Sequence, residues 1–148
     1  MGSRRISRIL TLQIIYLCDL CHIAEEEATK IVFQKNSDEK AQEFTTTLTH
    51  GVLSNIQSID SLIMKYAENW ELKRMAVIDR NILRLASFEL LHQIQTPVNV
   101  IIDEAVEIAK EYSTIDSGKF VNGILDKIKN ERIDKETEKS EQIHESRP

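Results

Sequence analysis

Turn-forming residues are scarce in this chain, with 4 Gly and 2 Pro among 148 residues. A β-rich fold needs such residues at its hairpins and bends, so their shortage argues for helices. No run is long and apolar enough to span a bilayer. Positive charge is short as well: the formal net charge is -5, so the molecule as a whole repels phosphate. Any nucleic-acid function then has to come from a local basic patch. There is no glycine-rich phosphate loop, no zinc-ligand spacing and no Ser-His-Asp order that supports catalysis. What is present is 41% hydrophobic and 29% charged, the balance of a soluble globular chain. The length makes one domain, or two small subdomains sharing a core.

The opening stretch "SRRISRILTLQIIYLCDLCH", residues 3–22, carries three incompatible readings. Paired arginines before an apolar run look like an export signal. Yet Gln13 and Asp19 break the run, no small-x-small cleavage site follows before "EEEATK", and Leu20 rather than a small residue precedes Cys21. The myristoylation pattern fails too, because Ile6 stands where Ser or Thr is required. The chain is therefore expected to be cytoplasmic. "CDLCH" has the Cys-x-x-Cys-His spacing of covalently attached haem, but that attachment normally follows export. Cys18 and Cys21 read instead as small, partly buried thiols in a reducing compartment. On a helical wheel Ile6, Ile9, Leu10, Ile14, Leu17, Leu20 and Cys21 share one side, with Cys18 at its edge and His22 opposite. Arg4, Arg5 and Arg8 fall together away from that stripe, with no acidic residue before Asp19. Cations at a helix start oppose the helix dipole. They are either a solvated, frayed end or a grip for phosphate, and composition leaves both open.

Helical periodicity continues along the chain. "AEEEATKIVFQKN" has acids in its first turn and Lys35 in its last, as the dipole prefers. Phe44, Leu48, Val52, Ile56, Ile59, Ile63 and Tyr66 keep a helical period, with a break expected near Ser58. "MAVIDRNILRLASFELLHQI" is apolar around most of its circumference and predicts a central helix that the others surround. Pro97 ends that region, Asp103 is expected to cap "EAVEIAKEY", and an Asp116-Ser117 cap is expected to start a last helix with Phe120, Val121, Ile124, Leu125 and Ile128 on one side. From about Arg132 the chain has little to bury and predicts a disordered charged tail, residues 132–148. Glu89 with His92, and Glu141 with His144, have the Glu-x-x-His spacing of di-iron bundles. The second pair lies in the tail, so the set does not close and no metal is expected.

The order of these features resembles the NusB family of bacterial transcription antitermination factors, from about Arg4 to Ile128. The most specific pieces are "DRNILRLASFELL" followed by a proline, "IIDEAVEIAKEY" and "DSGKFVNGILDKI", with "LQIIY" in the arginine-started first helix. The resemblance implies an all-α fold of about seven helices forming two packed bundles, an RNA-binding domain spanning residues 1–131. It implies a protein without enzymatic activity, cofactor or membrane. Such a protein binds the single-stranded boxA element of nascent ribosomal RNA, together with the small ribosomal-subunit protein NusE. It joins the RNA polymerase antitermination complex that resists termination. Carried over by position, RNA contacts fall on Arg4, Arg5, Arg8 and Gln13, and on Asp116, Lys119, Phe120 and Asn122. The NusE-facing positions fall on Tyr16 and Asp79. The chain departs from the family pattern in having only three arginines at its start and an acidic tail past the family core.

Bland readings stand beside these. Phe120, at the margin of its stripe, either closes the core or presents its face to an unstacked base. Asp116 and Asn122 are also plausible caps, and Tyr16 a core ring with a wet hydroxyl. Two function classes remain: an RNA-binding antitermination factor, and a protein-interaction adaptor using the same helical surface without direct RNA contact. An RNA-modifying enzyme would need a cofactor-binding α/β domain that this chain does not supply. Whether the free protein forms a homodimer is left open by the sequence.

Overall fold

In the computed structural model, residues 2–145 are described except Ser37 and Asn69, with side chains as far as Arg132. Helix α1 (Ser3–Leu20) is packed from two sides and separates a small core from a large one. On one side Leu10 and Ile14 meet Ala28 and Val32 of α2 (Glu25–Phe33) and Ala41 of α3 (Glu39–Ser54). On the other, Leu12 and Ile15 join the main core. The wheel stripe captures the first of these faces and misses the second, because Leu12 and Ile15 are buried only by helices distant in sequence. Each such side chain removed from water stabilises the fold by roughly 1.5–3 kcal/mol.

The main core is built by α3 with α4 (Ile56–Tyr66), α5 (Val77–His92), α6 (Val98–Tyr112) and α7 (Ile115–Glu145). Among the described residues these seven helices and one 3-10 turn, Leu72–Arg74, are the regular structure, with no strand. None of the helices is long and apolar enough to cross a membrane. The all-α class and the helix number follow the expectation, and the two cores correspond to two packed bundles sharing α1. As its circumference predicts, α5 is central: Ile82, Leu83, Leu85, Ala86, Phe88 and Leu90 are all buried. At Gly51 of α3 the backbone comes so close to α5 that a Cβ would lie 2.1 Å from Cζ of Phe88. Only glycine allows that approach.

Boundaries shift where side chains capture backbone groups. The α3–α4 break is at Asn55 rather than Ser58, because the Asn55 amide donates to the Gly51 carbonyl at 2.7 Å and closes α3 there. Pro97, with φ -60° and ψ 143°, leads directly into α6, so Asp103 is an exposed residue inside the helix instead of its cap. α1 ends before its stripe does. Leu20 and Cys21 are exposed, His22 turns the chain with a left-handed φ of 57°, and the Ile23 N–H returns to the Leu17 carbonyl at 3.4 Å.

The end of α1 is tied to its neighbours by charge. Asp19 accepts from Arg80 at 2.6 and 2.8 Å, Asn81 at 3.0 Å and Arg84 at 2.9 Å, while Arg84 also donates to Asp60 of α4 at 2.8 and 2.9 Å. Burial alone would push the Asp19 carboxyl up. The hydrogen bonds from Arg80 and Asn81 and the charges of both arginines outweigh it and hold the group below its ordinary range.

At the other terminus the backbone of α7 runs helically to Glu145, where composition predicts disorder from Arg132. Arg132 is 3% exposed, and its guanidinium donates to the carbonyls of Gln93 and Ile94 in the α5–α6 turn. It therefore belongs to the packed body. Beyond it the Glu- and Lys-rich sequence extends a helix already nucleated, which avoids the nucleation cost. Glu141 and His144 lie outside the residues whose side chains are described.

Candidate nucleic-acid interface

The three N-terminal arginines, neighbours on the wheel, reach three different helices. The Arg4 guanidinium lies 3.7 Å above the Phe44 ring of α3 and stays exposed. Arg5 pairs with Glu104 of α6 at 2.6 Å. Arg8 is 4% exposed and forms a forked pair with the buried Glu89 of α5, Nε–Oε2 3.0 Å and Nη2–Oε1 2.9 Å. Arg8 is therefore neither part of a solvated, frayed end nor, while paired with Glu89, a cation free for the RNA contact that the resemblance implies. The wheel treats α1 as one-sided, whereas α5 covers Arg8 and places a carboxylate opposite it. The pairings also answer why cations sit at this helix start, since two of them meet carboxylates of other helices. Glu89, half of the Glu-x-x-His spacing, is engaged by Arg8, and its companion His92 stacks on Phe88 at 4.9 Å.

A second set of predicted residues is brought together at the start of α7. The cap there is Thr114, not Asp116: its Oγ1 accepts from the Ser117 N–H at 2.9 Å. The Ser117 hydroxyl in turn accepts from Thr114 at 3.0 Å and donates to Asp79 Oδ2 of α5 at 2.9 Å. Asp79 is 8% exposed, and its Oδ1 has no hydrogen-bond partner among the described residues. This geometry directs Asp79 inward to anchor α7, although position alone had it facing a partner. The anchored turn presents Asp116, Lys119 and Asn122 to solvent. Phe120 lies half-buried at the edge of the main core. Its ring meets Trp70 edge-to-face, centroids 5.4 Å apart and planes at 67°. Trp70, Arg74, Asp79, Asp116, Ser117 and Phe120 line a common groove of about 270 Å³.

Trp70 and Arg74 were not among the residues singled out from sequence. The signal was present in "WELKR", where the chain's one tryptophan stands next to cations and outside any apolar stripe.

Gln13 and Tyr16 sit elsewhere, in a groove of about 440 Å³ between α1, α2 and the adjoining ends of α5 and α6. Its walls are apolar and include Leu17, Ile31, Ile78 and Tyr112. Ile31 and Tyr112 remain substantially exposed. Both grooves reach the start of α5, one at Ile78 and the other at Asp79. Of the predicted RNA and partner residues, Asp79, Asp116 and Phe120 line the charged aromatic groove and Gln13 and Tyr16 the apolar one. Lys119 and Asn122 are exposed on α7, Arg5 and Arg8 are in ion pairs, and Arg4 lies toward the start of α1.

The model of the NusB family matches residues 5–130. Transcription antitermination protein NusB of Elusimicrobium minutum is 42% identical over 135 residues, which cover 89% of this chain and 96% of that protein. The protein of the same name from Chloroherpeton thalassium is 44% identical over 131 residues, covering 87% of this chain and 62% of that longer one. Among solved structures, NusB of Thermotoga maritima matches with a TM-score of 0.81 at 41% identity, covering 88% of this chain and 92% of that one. A structure of the antitermination factors NusB and NusE in complex with dsRNA contains a chain with a TM-score of 0.81 and 28% identity, covering 88% and 98%. With the family model spanning nearly all of the two-core body, and relatives aligned over most of their own lengths, the chain belongs to the NusB family.

Proposed function

We propose that this chain is an RNA-binding transcription antitermination factor that works in the cytoplasm by binding, without catalysis. It engages the boxA element of nascent ribosomal RNA together with the ribosomal protein NusE, and in that complex helps RNA polymerase resist termination. The observation that carries the reading is the start of α7. A capped, anchored turn holds a partly buried aromatic, Phe120, with Asp116 in the wall of a groove, and the same helix start exposes Lys119 and Asn122. Single-stranded RNA is read by such stacking surfaces flanked by polar groups that reach base edges. Lys119 and the exposed Arg4 supply charge for phosphates, while Arg5 and Arg8 are already paired within the protein. The apolar groove beside Tyr16 and Gln13 is the surface for NusE, since its exposed Ile31 and Tyr112 suit a protein partner better than an anion.

The neutralisation of Arg5 and Arg8 favours a second reading, an adaptor that uses the apolar groove and leaves RNA to its partner. Binding of a boxA-type RNA and a scrambled control, at several salt concentrations, with and without NusE, separates the two. The factor reading expects preference for boxA-type RNA by the protein alone, strengthened by NusE. Binding of RNA only when NusE is present, with no change on altering Phe120 or Asn122, would establish the adaptor instead.

A further inference from the structure

We propose that Trp70 is a second base-stacking surface and that the groove it walls receives one unpaired nucleobase. The inference rests on the RNA-binding reading and names the ligand within that site. Trp70 is 55% exposed, a large apolar ring that folding leaves in water. Its edge-to-face packing on Phe120 is the arrangement aromatic pairs prefer, and it holds the indole in place at the groove wall. Because that contact covers part of Phe120, the wider free aromatic surface belongs to Trp70.

Charge decides which ligand fits. A phosphate site would gather free cations, and a site for a cationic side chain would offer free carboxylates. Here one Asp79 oxygen is bonded by Ser117 and the other is sealed from solvent, which leaves Asp116 as the accessible acid of the groove. Arg74 lines the groove and makes an exposed pair with Glu71 at 3.5 Å, and Lys119 is exposed one residue before Phe120. With Asp79 engaged, the lining is balanced, the cation Arg74 against the accessible acid Asp116. A balanced groove with aromatic walls takes a neutral π ring, with phosphates of the flanking nucleotides near Arg74 and Lys119. Asp116, which only accepts hydrogen bonds when ionised, can take an N–H from the base edge. A groove of about 270 Å³ has room for one base.

The chain has one tryptophan, so its fluorescence reports on this groove without a label. Titrating the full-length protein with single-stranded boxA-type RNA is expected to quench that fluorescence, at the concentrations where anisotropy of labelled RNA shows binding. Trp70→Ala should weaken binding roughly 5- to 150-fold, the effect of losing one stack, with the salt slope kept. Trp70→Phe should recover most of the loss. Trp70→Leu covers Phe120 but offers no π face, and should not recover it. Circular dichroism of each variant should match the parent, because the ring is mostly outside the core. If Trp70→Ala binds RNA as tightly as a parent that does bind, this inference fails while the proposed function stands. Equal recovery by Leu and Phe also overturns it, and so does a loss confined to NusE binding. A parent that binds no RNA overturns both readings.

Discussion

Arg4 and Arg8 stand one helical turn apart on α1 and have opposite surroundings. Arg8 holds Glu89 inside the protein, and removing one partner of a buried pair leaves the other charge uncompensated. Arg8→Ala is therefore expected to cost about 3–5 kcal/mol in denaturant unfolding. Arg4 contributes a surface cation–π contact, and Arg4→Ala should cost no more than about 1 kcal/mol of stability. Its effect should appear in RNA binding, where losing one phosphate contact lowers the slope of log affinity against log salt by about 0.7. If Arg8→Ala is as stable as the parent, the buried pair is wrongly placed. Asp19 makes a pH-dependent case. Its carboxyl is held below the unfolded value of about 3.9, so its contribution is fully present above that pH. It is lost as pH falls through the lower folded value. Asp19→Asn should thus be less stable than the parent at neutral pH, with the gap closing in acid. A gap that stays constant down to acid pH would contradict the assigned network.

Elements meet through a few positions that tolerate little change. Gly51→Ala gains helix propensity of about 1 kcal/mol, yet the added Cβ lies within the Phe88 ring contact at 2.1–2.7 Å. Rigid ring against rigid helix costs about 1–3 kcal/mol of overpacking, so the variant should be net destabilised. A melting temperature equal to or above the parent's would show that α3 and α5 can move apart. The α7 boundary gives a sharper contrast. Truncation after Arg132 should leave the melting temperature nearly unchanged. Arg132→Ala in the full chain should lower it, since the Gln93 and Ile94 carbonyls lose their donor at about 1–3 kcal/mol. The reverse order of effects would place the stabilising contacts beyond Arg132.

At the scale of the whole molecule, legibility divides along local and long-range lines. Helical periods and the central α5 are local patterns, readable from spacing, whereas the roles given to residues at the α7 start came from the family resemblance. The burial of Leu12, Ile15 and Arg8 was not readable, because it depends on α5 covering α1 from far along the chain. The Thr114 cap was displaced in the reading by Asp116, an equally good capping type two residues on. Trp70 was missed because it meets Phe120 from fifty positions away in sequence, a contact that periodicity does not connect. In a molecule of net charge -5 with two of three N-terminal arginines internally paired, the proposed function expects affinity for RNA to come more from stacking than from charge. The direct measurement is the affinity of Phe120→Ala for boxA-type RNA across a salt series, after its helicity and melting temperature are checked. The account predicts a loss of about 1–3 kcal/mol with the salt slope unchanged. A folded Phe120→Ala that binds as tightly as the parent, or one whose loss vanishes at high salt, would contradict it.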